Sequence, residues 1–307
     1  MHISVLLNES IEGLNLKEDG IYVDCTLGYA GHSSEILKRI RRGCLFAFDQ
    51  DSEAINFSKN KLSSIGNNYE IIKSNFCNLK EELKKRNVTK VDGILFDLGV
   101  SSPQLDEKER GFSYHLDARL DMRMNTEQEL SAYEVVNSYD EAKLAKIFFE
   151  YGEEKYSKSI ARAIVKARAE KKIETTLELV EIIKSAMPEK AKRDKHPARK
   201  VFQAIRIEVN NELEVLKQAL NQALDIVDVG GRVVVITFHS LEDRIVKNIF
   251  KEKTKIDSRV KGLPNIPDEY LPDFRLVNNK AIVPSLEELE NNNRARSSKL
   301  RVIERIK

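Results

Sequence analysis

Four short apolar runs alternate with helical patterns in the first hundred residues, and this alternation constrains the fold more than any other feature. The runs are IYVDCT (21–26), CLFAFDQD (44–51), YEIIKSNF (69–76) and VDGILFDLG (91–99), and helical patterns occupy 33–41, 52–63 and 78–86. Runs with so little polar alternation are typical of strands buried on both faces of a parallel sheet. The sequence therefore predicts an α/β domain with a doubly wound sheet, which binds ligands at the carboxyl ends of its strands.

A block with no convincing strand pattern interrupts this arrangement between about residues 130 and 228. Its helical segments are YSKSIARAIVKARAEKK, with Ile160 and Ile164 on one face, TTLELVEIIKSAM, which opens with the capping-box pair Thr175 and Glu178, and the long periodic stretch 202–227. Strand patterns return after Gly230 and Gly231, which we expect to end the last of these helices, and near 273–277 and 298–305. We predict two domains: 1–129 with 212–307, and an inserted all-helical domain at 130–211.

Composition excludes several classes of protein. The chain has 307 residues and a net charge of only +2, and no apolar run approaches the roughly 20 residues that a membrane span needs. Asn8 and Glu9 come too early for a signal peptide. Cys25, Cys44 and Cys77 are odd in number and lack metal-ligand spacing, so we expect reduced thiols. These features predict a cytoplasmic protein with no contact to membranes and no metal site.

The segment DCTLGYAGH, which follows the first apolar run, has the features of a cofactor loop. Gly28 and Gly31 allow the backbone to turn tightly and to approach a ligand. Their G-x-x-G spacing differs from the G-x-G-x-x-G of dinucleotide-binding folds, in which a pyrophosphate lies at the helix N-terminus. A ligand with an ammonium group and no phosphates, such as S-adenosylmethionine, suits the preceding Asp24 better. The alternative is that the two glycines only connect a strand to a helix.

Two later positions fit a nucleoside. Asp49 ends the second run about 20 residues after the glycine loop, where nucleotide-binding folds carry a carboxylate that accepts from ribose hydroxyls. The alternative is that Asp49 or Asp51 caps the helix that begins at Ser52. Phe76 follows the third run, at a position from which its ring would stack on adenine, although packing in the core is the more common role of a phenylalanine.

Asp97 ends the fourth run and is the best candidate for a residue near the chemistry. The polar, turn-forming segment from Gly99 to Pro103 follows it. Methyltransferases that act on amino groups carry an acidic or amide residue and a proline-containing turn at this place. Acceptors that hydrogen-bond the N–H groups of an exocyclic amine localise its lone pair and aim it at the methyl carbon. The alternative is a turn carboxylate without a catalytic role, and no general base is identified.

His239, in ITFHSLEDR, is a weaker candidate. It follows the last apolar run of the α/β part, so it would lie at the same edge of the sheet. A single histidine at a strand end is more often structural, and we retain it only as a candidate for substrate contact. Ser240 and Asp243 are predicted to cap the helix that follows.

Several long blocks together resemble the bacterial 16S ribosomal RNA (cytosine-N4)-methyltransferase family, RsmH (MraW). In order from residue 2 to about 301 they are HISVLLNESIEGL, DCTLGYAGHS, FDQDSEAI, DGILFDLGVSSPQLDEKERGFSY, LDMRMN, KHPARKVFQAIRIEVNNEL, FHSLEDRIVK and RARSSKLR. The resemblance implies a class I S-adenosylmethionine-dependent methyltransferase fold, Rossmann-like, with an inserted helical domain. It also implies S-adenosyl-L-methionine as cofactor and methylation of the N4 amine of a cytidine in the decoding region of 16S rRNA.

The resemblance further implies a set of cofactor contacts. They fall on Ala30, Gly31, His32, Asp49, Phe76, Asp97 and Gln104. The chain departs from the family pattern in this loop, because GYAGH replaces the usual GRGGH and places Tyr29 and Ala30 where Arg and Gly are common. Ala30 is compatible with a backbone contact unless the position requires a positive φ.

Basic residues concentrate in the helical block. Residues 141–210 contain 17 Lys and Arg against 11 Asp and Glu, with the densest run, KAKRDKHPARK, at 190–200 and a second basic segment at the C-terminus. Such clusters are the usual source of phosphate contacts, although many are only solvated faces. Beside an amine-methylating site they indicate that the helical insert clamps structured RNA, from which the target cytidine must be unstacked. The resemblance implies that this RNA partner is 16S ribosomal RNA within the small ribosomal subunit. Phe112, Tyr114 and Phe202 are candidates for stacking on it, with core packing as the favoured alternative.

Two other functions and the oligomeric state remain open at this point. A nicotinamide-dependent oxidoreductase is disfavoured by the missing G-x-G-x-x-G. An RNA-binding ribosome assembly factor with a vestigial cofactor pocket fits the same basic residues. A homodimer is one alternative for the assembly.

Overall fold

The computed structural model describes residues 4–192, 196–260, 262 and 264–307, and it divides into two compact units. The sheet unit comprises Met1–Gly99 and Leu213–Lys307, and the helical unit comprises Val100–Glu212. Positions 193–195 of the basic run 190–200 lie outside the described residues. In the part of the chain that is described, no helix combines the length and the apolar character that crossing a membrane requires.

A seven-stranded sheet forms the centre of the sheet unit. Its strands are β1 (Ile21–Asp24), β2 (Cys44–Asp49), β3 (Tyr69–Lys73), β4 (Val91–Asp97), β5 (Val227–Thr237), β6 (Phe274–Leu276) and β7 (Lys299–Arg305). Their order is β3-β2-β1-β4-β5-β7-β6; β1 to β5 are parallel, and β7 runs antiparallel to both of its neighbours. This order with one reversed strand is that of class I S-adenosylmethionine-dependent methyltransferases, so the predicted fold class is confirmed. Dinucleotide-binding folds have the order 3-2-1-4-5-6 instead.

The apolar runs are explained by burial on both faces of the sheet. In β2, Phe46 and Phe48 belong to the core on one face, whereas Leu45 and Ala47 belong to the core on the other. Successive side chains of a strand point to opposite faces, so a strand covered on both sides needs apolar residues at nearly every position.

The described residues form thirteen α-helices, among them those that the sequence predicts at 33–41, 52–63 and 78–86. They are α1 (Leu7–Leu14), α2 (Gly31–Arg39), α3 (Ser52–Ser63), α4 (Leu79–Lys85), α5 (Ser102–Asp106), α6 (Ala132–Ser138), α7 (Glu141–Glu150), α8 (Ser157–Glu170), α9 (Thr176–Ser185), α10 (Arg199–Asn210), α11 (Glu212–Ile226), α12 (Ser240–Lys253) and α13 (Leu286–Asn291). The capping box at the start of α9 is present, with Thr175 as N-cap and Glu178 as its partner. Helix ends differ from the predicted ones by a few residues, as end positions commonly do.

The helical unit begins at Val100, before the boundary at 130 that the sequence pattern suggests. Phe112, Leu120 and Met122 precede the first long helix of the unit, but all three are buried in its core. That core is shared with residues of α6 to α10, such as Phe148. A segment with no helical pattern of its own is thus held in this unit by contacts that are distant in sequence.

The long periodic stretch 202–227 is divided into α10 and α11. Asn211 adopts a left-handed conformation with φ 49°, which ends α10. The side chain of Asn210 accepts from the Met124 N–H at 2.8 Å and donates to the Met122 carbonyl at 2.9 Å. Both asparagines interrupt the helix although the apolar period continues across them.

Gly230 and Gly231 do not end a helix, contrary to the prediction. Helix α11 already ends at Ile226, and both glycines lie within β5. Gly230 has φ +80°, and the pairing of β5 with β4 shifts register between Val91 and Gly93. Glycine at an irregularity of a strand is common because the bulged residue needs a conformation that other residues disfavour.

Candidate active site

Three acidic residues end three adjacent parallel strands of the sheet unit. Asp24 ends β1, Asp49 ends β2 and Asp97 ends β4. The strand order reverses direction between β1 and β4, which is the switch point where open α/β sheets bind ligands. We call Asp24, Asp49 and Asp97 the strand-end acids.

The loop between β1 and α2 is built for a close backbone approach. Gly28 has φ +48°, and an added Cβ at Gly31 would overlap with the side chain of Ser4. Ala30, the N-cap of α2, has φ 55°. This position therefore does require a positive φ, and an alanine there carries a strain of about 1 kcal/mol. Glycine is common at this position in the family that the chain resembles, and the positive φ is the physical reason.

Asp24 is hydrogen-bonded to the loop and helix that follow it. It is only 1% exposed. Its Oδ1 accepts from the Thr26 N–H at 3.0 Å, and its Oδ2 accepts from the Ser33 hydroxyl at 2.6 Å. Asp24 therefore stabilises the loop, and its pairing with a ligand ammonium group stays a prediction.

Asp49 is also tied to the loop, but its surroundings oppose its ionisation. Its carboxylate accepts from the Gly28 N–H and the Asp51 N–H, each at 2.9 Å. Burial raises the pKa of Asp49 to about 6, with repulsion from Asp51 adding to the shift and these backbone hydrogen bonds opposing it. Asp51 is the N-cap of α3 and accepts from the Glu53 N–H at 3.1 Å. The capping role therefore belongs to Asp51, and a ligand role for Asp49 stays a prediction.

Asp97 has an oxygen without a partner. Its Oδ1 is buried and accepts no hydrogen bond from any described residue. Its Oδ2 lies 3.5 Å from Nδ1 of His32, and its backbone N–H donates to Thr26 Oγ1 at 2.7 Å. Burial raises the pKa of Asp97 well above its ordinary value, and repulsion from Asp24 and Glu242 adds to the shift.

The first turn of α12 supplies Glu242, which the sequence analysis missed. Glu242 is 2% exposed and accepts from the Phe238 N–H at 2.8 Å and the His239 N–H at 3.3 Å. His239 is the N-cap residue of α12, and its Nε2 lies 3.1 Å from Glu242 Oε1. The predicted cap by Ser240 and Asp243 is wrong. The pattern His-x-x-Glu, with Glu at the third helical position, is the signal that would have located this cap.

Phe76 and Gln104 lie in different units. Phe76 begins a 3-10 turn after β3, and its ring packs edge-on against Phe96 with centroids 5.6 Å apart. Phe96 is the neighbour of Asp97 in β4. Gln104 belongs to α5 of the helical unit, and its Oε1 accepts from the Ser101 N–H at 3.0 Å. The sheet unit alone thus brings together the glycine loop, Asp49, Asp97 and His32.

The helical unit presents a basic face on α8. Lys158, Arg162 and Lys166 are exposed, whereas Ile160 and Ile164 of the same helix are buried, so the predicted apolar face is confirmed. Arg162 Nε lies 3.6 Å from Glu141 Oε1, so this arginine pairs with a residue of α7.

The three aromatic residues that the sequence analysis considered for stacking have different positions. Phe112 and Phe202 are 6% and 4% exposed and belong to the core of the helical unit. Core packing, the alternative that the sequence favoured, is therefore confirmed for these two residues. Tyr114 is partly buried, and its ring stacks on His196 with centroids 4.5 Å apart.

Comparisons with known proteins give consistent matches over the whole chain. A family model described as "MraW methylase family" matches residues 1–306. "Ribosomal RNA small subunit methyltransferase H" of Exiguobacterium sibiricum is 59% identical over 307 residues, which are 100% of this chain and 98% of that protein. Among solved structures, an rRNA methylase from Streptococcus thermophilus covers 100% of both chains at 12% identity and a TM-score of 0.47. A Streptococcus mutans structure in complex with SAH covers 99% of both chains at 11% identity and a TM-score of 0.46.

Proposed function

Because the chain belongs to the MraW methylase family, we propose that it transfers the methyl group of S-adenosylmethionine to the N4 amine of a cytidine. The proposed substrate is the decoding region of 16S rRNA within the small ribosomal subunit, which implies a cytoplasmic site of action. The observation that carries the proposal is Asp97, a partly exposed carboxylate at the switch point of a methyltransferase sheet, whose buried Oδ1 has no hydrogen-bond partner among the described residues.

The residues at the strand ends fit a ligand that is cationic and has a nucleoside part. A cation would offset the burial and repulsion that raise the pKa of Asp97. Gly28, at φ +48°, makes the tight turn of the glycine loop, whose G-x-x-G spacing is not that of a pyrophosphate site. Both features suit a donor with an ammonium and a sulfonium group and no phosphates.

We assign the cofactor contacts on these grounds together with the resemblance. They comprise Ala30, Gly31 and His32 in the loop, Asp49 for the ribose hydroxyls, Phe76 for the adenine ring, and Asp97. Gln104 is included on the resemblance alone. When bound, S-adenosylmethionine supplies a methyl group on a sulfonium, which is an excellent leaving group.

The chain itself contributes alignment and electrostatics to the reaction. In the exocyclic amine of cytosine the nitrogen lone pair is delocalised into the ring. The free oxygen of Asp97 accepts from an N–H of this amine, or from the cofactor, and so fixes the geometry of attack. No covalent nucleophile is required. The methylated amine is strongly acidic, so its proton leaves to water or to a carboxylate without a dedicated general base.

Mass spectrometry of rRNA nucleosides tests the proposed product. We expect N4-methylcytidine in 16S rRNA from cells that carry the gene and its loss from cells in which the gene is deleted. An unchanged nucleoside profile would contradict the assignment of the methylated atom.

Transfer of tritium from labelled S-adenosylmethionine to purified small subunits separates an enzyme from an assembly factor. An enzyme incorporates label, and we expect transfer to subunits but not to naked RNA fragments. Binding to small subunits without any incorporation would favour the assembly factor with a vestigial pocket.

A further inference from the structure

The imidazole of His32 is held between the N-terminal segment and a strand-end acid. His32 is 4% exposed and lies in the first turn of α2. Its Nε2 is 3.1 Å from the carbonyl oxygen of Val5, and its Nδ1 is 3.5 Å from Oδ2 of Asp97. A carbonyl oxygen only accepts hydrogen bonds, so Nε2 carries a proton and donates to Val5.

This tautomer leaves one proton to be shared between His32 and Asp97. If the proton is on Nδ1, the pair is an imidazolium and a carboxylate; if it is on Oδ2, the pair is a neutral imidazole and a carboxylic acid. The pair is neutral overall in both arrangements. A pair of this kind titrates as a unit, and the proton moves within it according to the surrounding charge.

The other charged groups that face Asp97 are acidic. Asp24 from β1 and Glu242 from α12 both repel a negative charge on Asp97. Among the described residues, His32 is the only side chain in ion-pair contact with Asp97. The acids favour the proton on Asp97 while no ligand is present, and an added cation favours the proton on His32.

We propose that His32 is a positioning residue that holds Oδ2 of Asp97 and takes up the shared proton when a cationic ligand binds, leaving Oδ1 of Asp97 to the ligand. The proton moves from Oδ2 to Nδ1, so binding neither releases nor takes up a proton at this pair. This inference rests on the proposed function, because it takes S-adenosylmethionine as the cation. It adds a role for the imidazole of His32 to the predicted cofactor contact at this residue.

Replacing the imidazole of His32 should make ligand binding depend more steeply on pH. In His32→Phe, Asp97 retains its acidic neighbours but has no partner that accepts its proton. The carboxyl group must then release the proton to solvent before it binds a cation. Below the pKa of Asp97, affinity in this variant rises toward tenfold per pH unit, with release of close to one proton. The Asp49 carboxyl also titrates, but it does so equally in both proteins, so the difference between them reports on the pair.

Isothermal titration calorimetry with S-adenosylmethionine tests this at several pH values between 6 and 8, in buffers of different ionisation enthalpy. The proteins are the wild type, His32→Phe, the double variant His32→Phe/Asp97→Asn, and the matched control His115→Phe, whose histidine is exposed in the helical unit. We expect the extra proton release only in His32→Phe, because the double variant lacks the carboxyl that titrates. Circular dichroism confirms that each protein is folded.

The outcomes separate this inference from the proposed function. If the wild type binds and His32→Phe has the same proton count and pH profile, the positioning role is overturned and the proposed function stands. If calorimetry detects no binding of S-adenosylmethionine to the wild type, the positioning role and the proposed function are both overturned. For a variant that does not fold, 15N NMR of the wild-type imidazole decides: Nδ1 of His32 becomes protonated on binding if the inference holds, and stays unprotonated if it does not.

Discussion

Asp97 and Asp243 are buried acids of the same unit, yet their surroundings are opposite. Asp243 accepts from Arg301 Nε at 2.7 Å and from Lys299 Nζ at 3.2 Å. Although burial opposes its ionisation, these hydrogen bonds hold the pKa of Asp243 below its ordinary value. Asp97 has only the His32 imidazole at 3.5 Å and keeps one oxygen unpartnered, and its pKa is raised.

A second buried acid of the unit shows the same contrast with Asp97. Glu304 in β7 has two basic partners, with Arg232 Nε 2.9 Å from its Oε2 and Arg275 Nη2 3.0 Å from its Oε1. Buried charges in proteins are normally paired in this way, because an unpaired charge loses its hydration without compensation. An acid that lacks such a partner at the switch point of a sheet is therefore best explained by a partner from outside the chain. The paired acids stabilise the fold, whereas we propose that Asp97 serves a ligand.

The largest expected effect is that of Asp97→Asn. Methyl transfer should fall by about 100-fold or more, because the variant loses the acceptor that aligns the reacting groups. Stability should be unchanged or higher, because asparagine replaces a carboxyl group whose ionisation is opposed by burial and by acidic neighbours. Tritium transfer to small subunits and thermal denaturation measure the two effects. Near-normal turnover would show that the unpaired acid has no role in the reaction.

Asp243→Asn is the matched control, since the chemical change is the same in the same unit. It leaves Arg301 and Lys299 without their carboxylate, so the free energy of unfolding should fall by about 3 kcal/mol. Transfer per folded molecule should stay within about twofold of the wild type. Denaturant unfolding measures the loss of stability, and tritium transfer to small subunits measures the activity. A large loss of activity at unchanged stability would remove the distinction between the paired and the unpaired acid.

A smaller effect is expected from pH, through Asp49. The pKa of Asp49 is about 6, so this carboxyl is mostly protonated at pH 5 and mostly ionised at pH 7. Because ribose hydroxyls donate to the ionised form, affinity for S-adenosylhomocysteine should fall about tenfold from pH 7 to pH 5. Calorimetry should detect this fall in the wild type and not in Asp49→Asn. An equal fall in both proteins would assign the titration to another group.

The raised pKa of Asp49 also makes folding stability depend on pH, but stability falls as the pH rises, whereas affinity for the ligand increases. The pKa of Asp49 is raised from 3.8 to about 6, so the native state binds more protons than the unfolded state between these values. The contribution of Asp49 to stability is therefore present below pH 3.8 and is lost as the pH rises through 6. Asp243 has a lowered pKa, so its contribution is lost as the pH falls instead.

The smallest effect is expected for Ala30→Gly, in the loop beside the strand-end acids. Glycine relieves the strain at φ 55°, but it removes a buried methyl group and adds freedom to the unfolded chain. These terms nearly cancel, so the free energy of unfolding should change by less than about 1 kcal/mol, as measured by denaturant unfolding. A larger gain would show that the strain at this loop exceeds that of an ordinary left-handed residue.

Local patterns in the sequence were sufficient for much of the fold and for two of the strand-end acids. The four apolar runs became β1 to β4, and Asp49 and Asp97 end their strands as predicted. The capping box of α9 and the faces of α8 were also readable, since each depends on residues three or four positions apart. The glycine loop was located correctly because a strand, a tight turn and a helix leave a contiguous signal.

Contacts between distant residues decided the rest. Segment 100–129 joins the helical unit because its apolar side chains are buried there, and α10 ends where Asn210 bonds the backbone near Met122. Whether a strand-end acid is satisfied or open depends on which hydroxyls, N–H groups and carboxylates other elements bring to it. Asp24 meets Ser33 nine residues later, whereas Asp97 is repelled by Glu242, which lies 145 residues later in the chain. Spacing in the sequence fixes neighbours along an element, but the charge state of a buried group is set by everything packed around it.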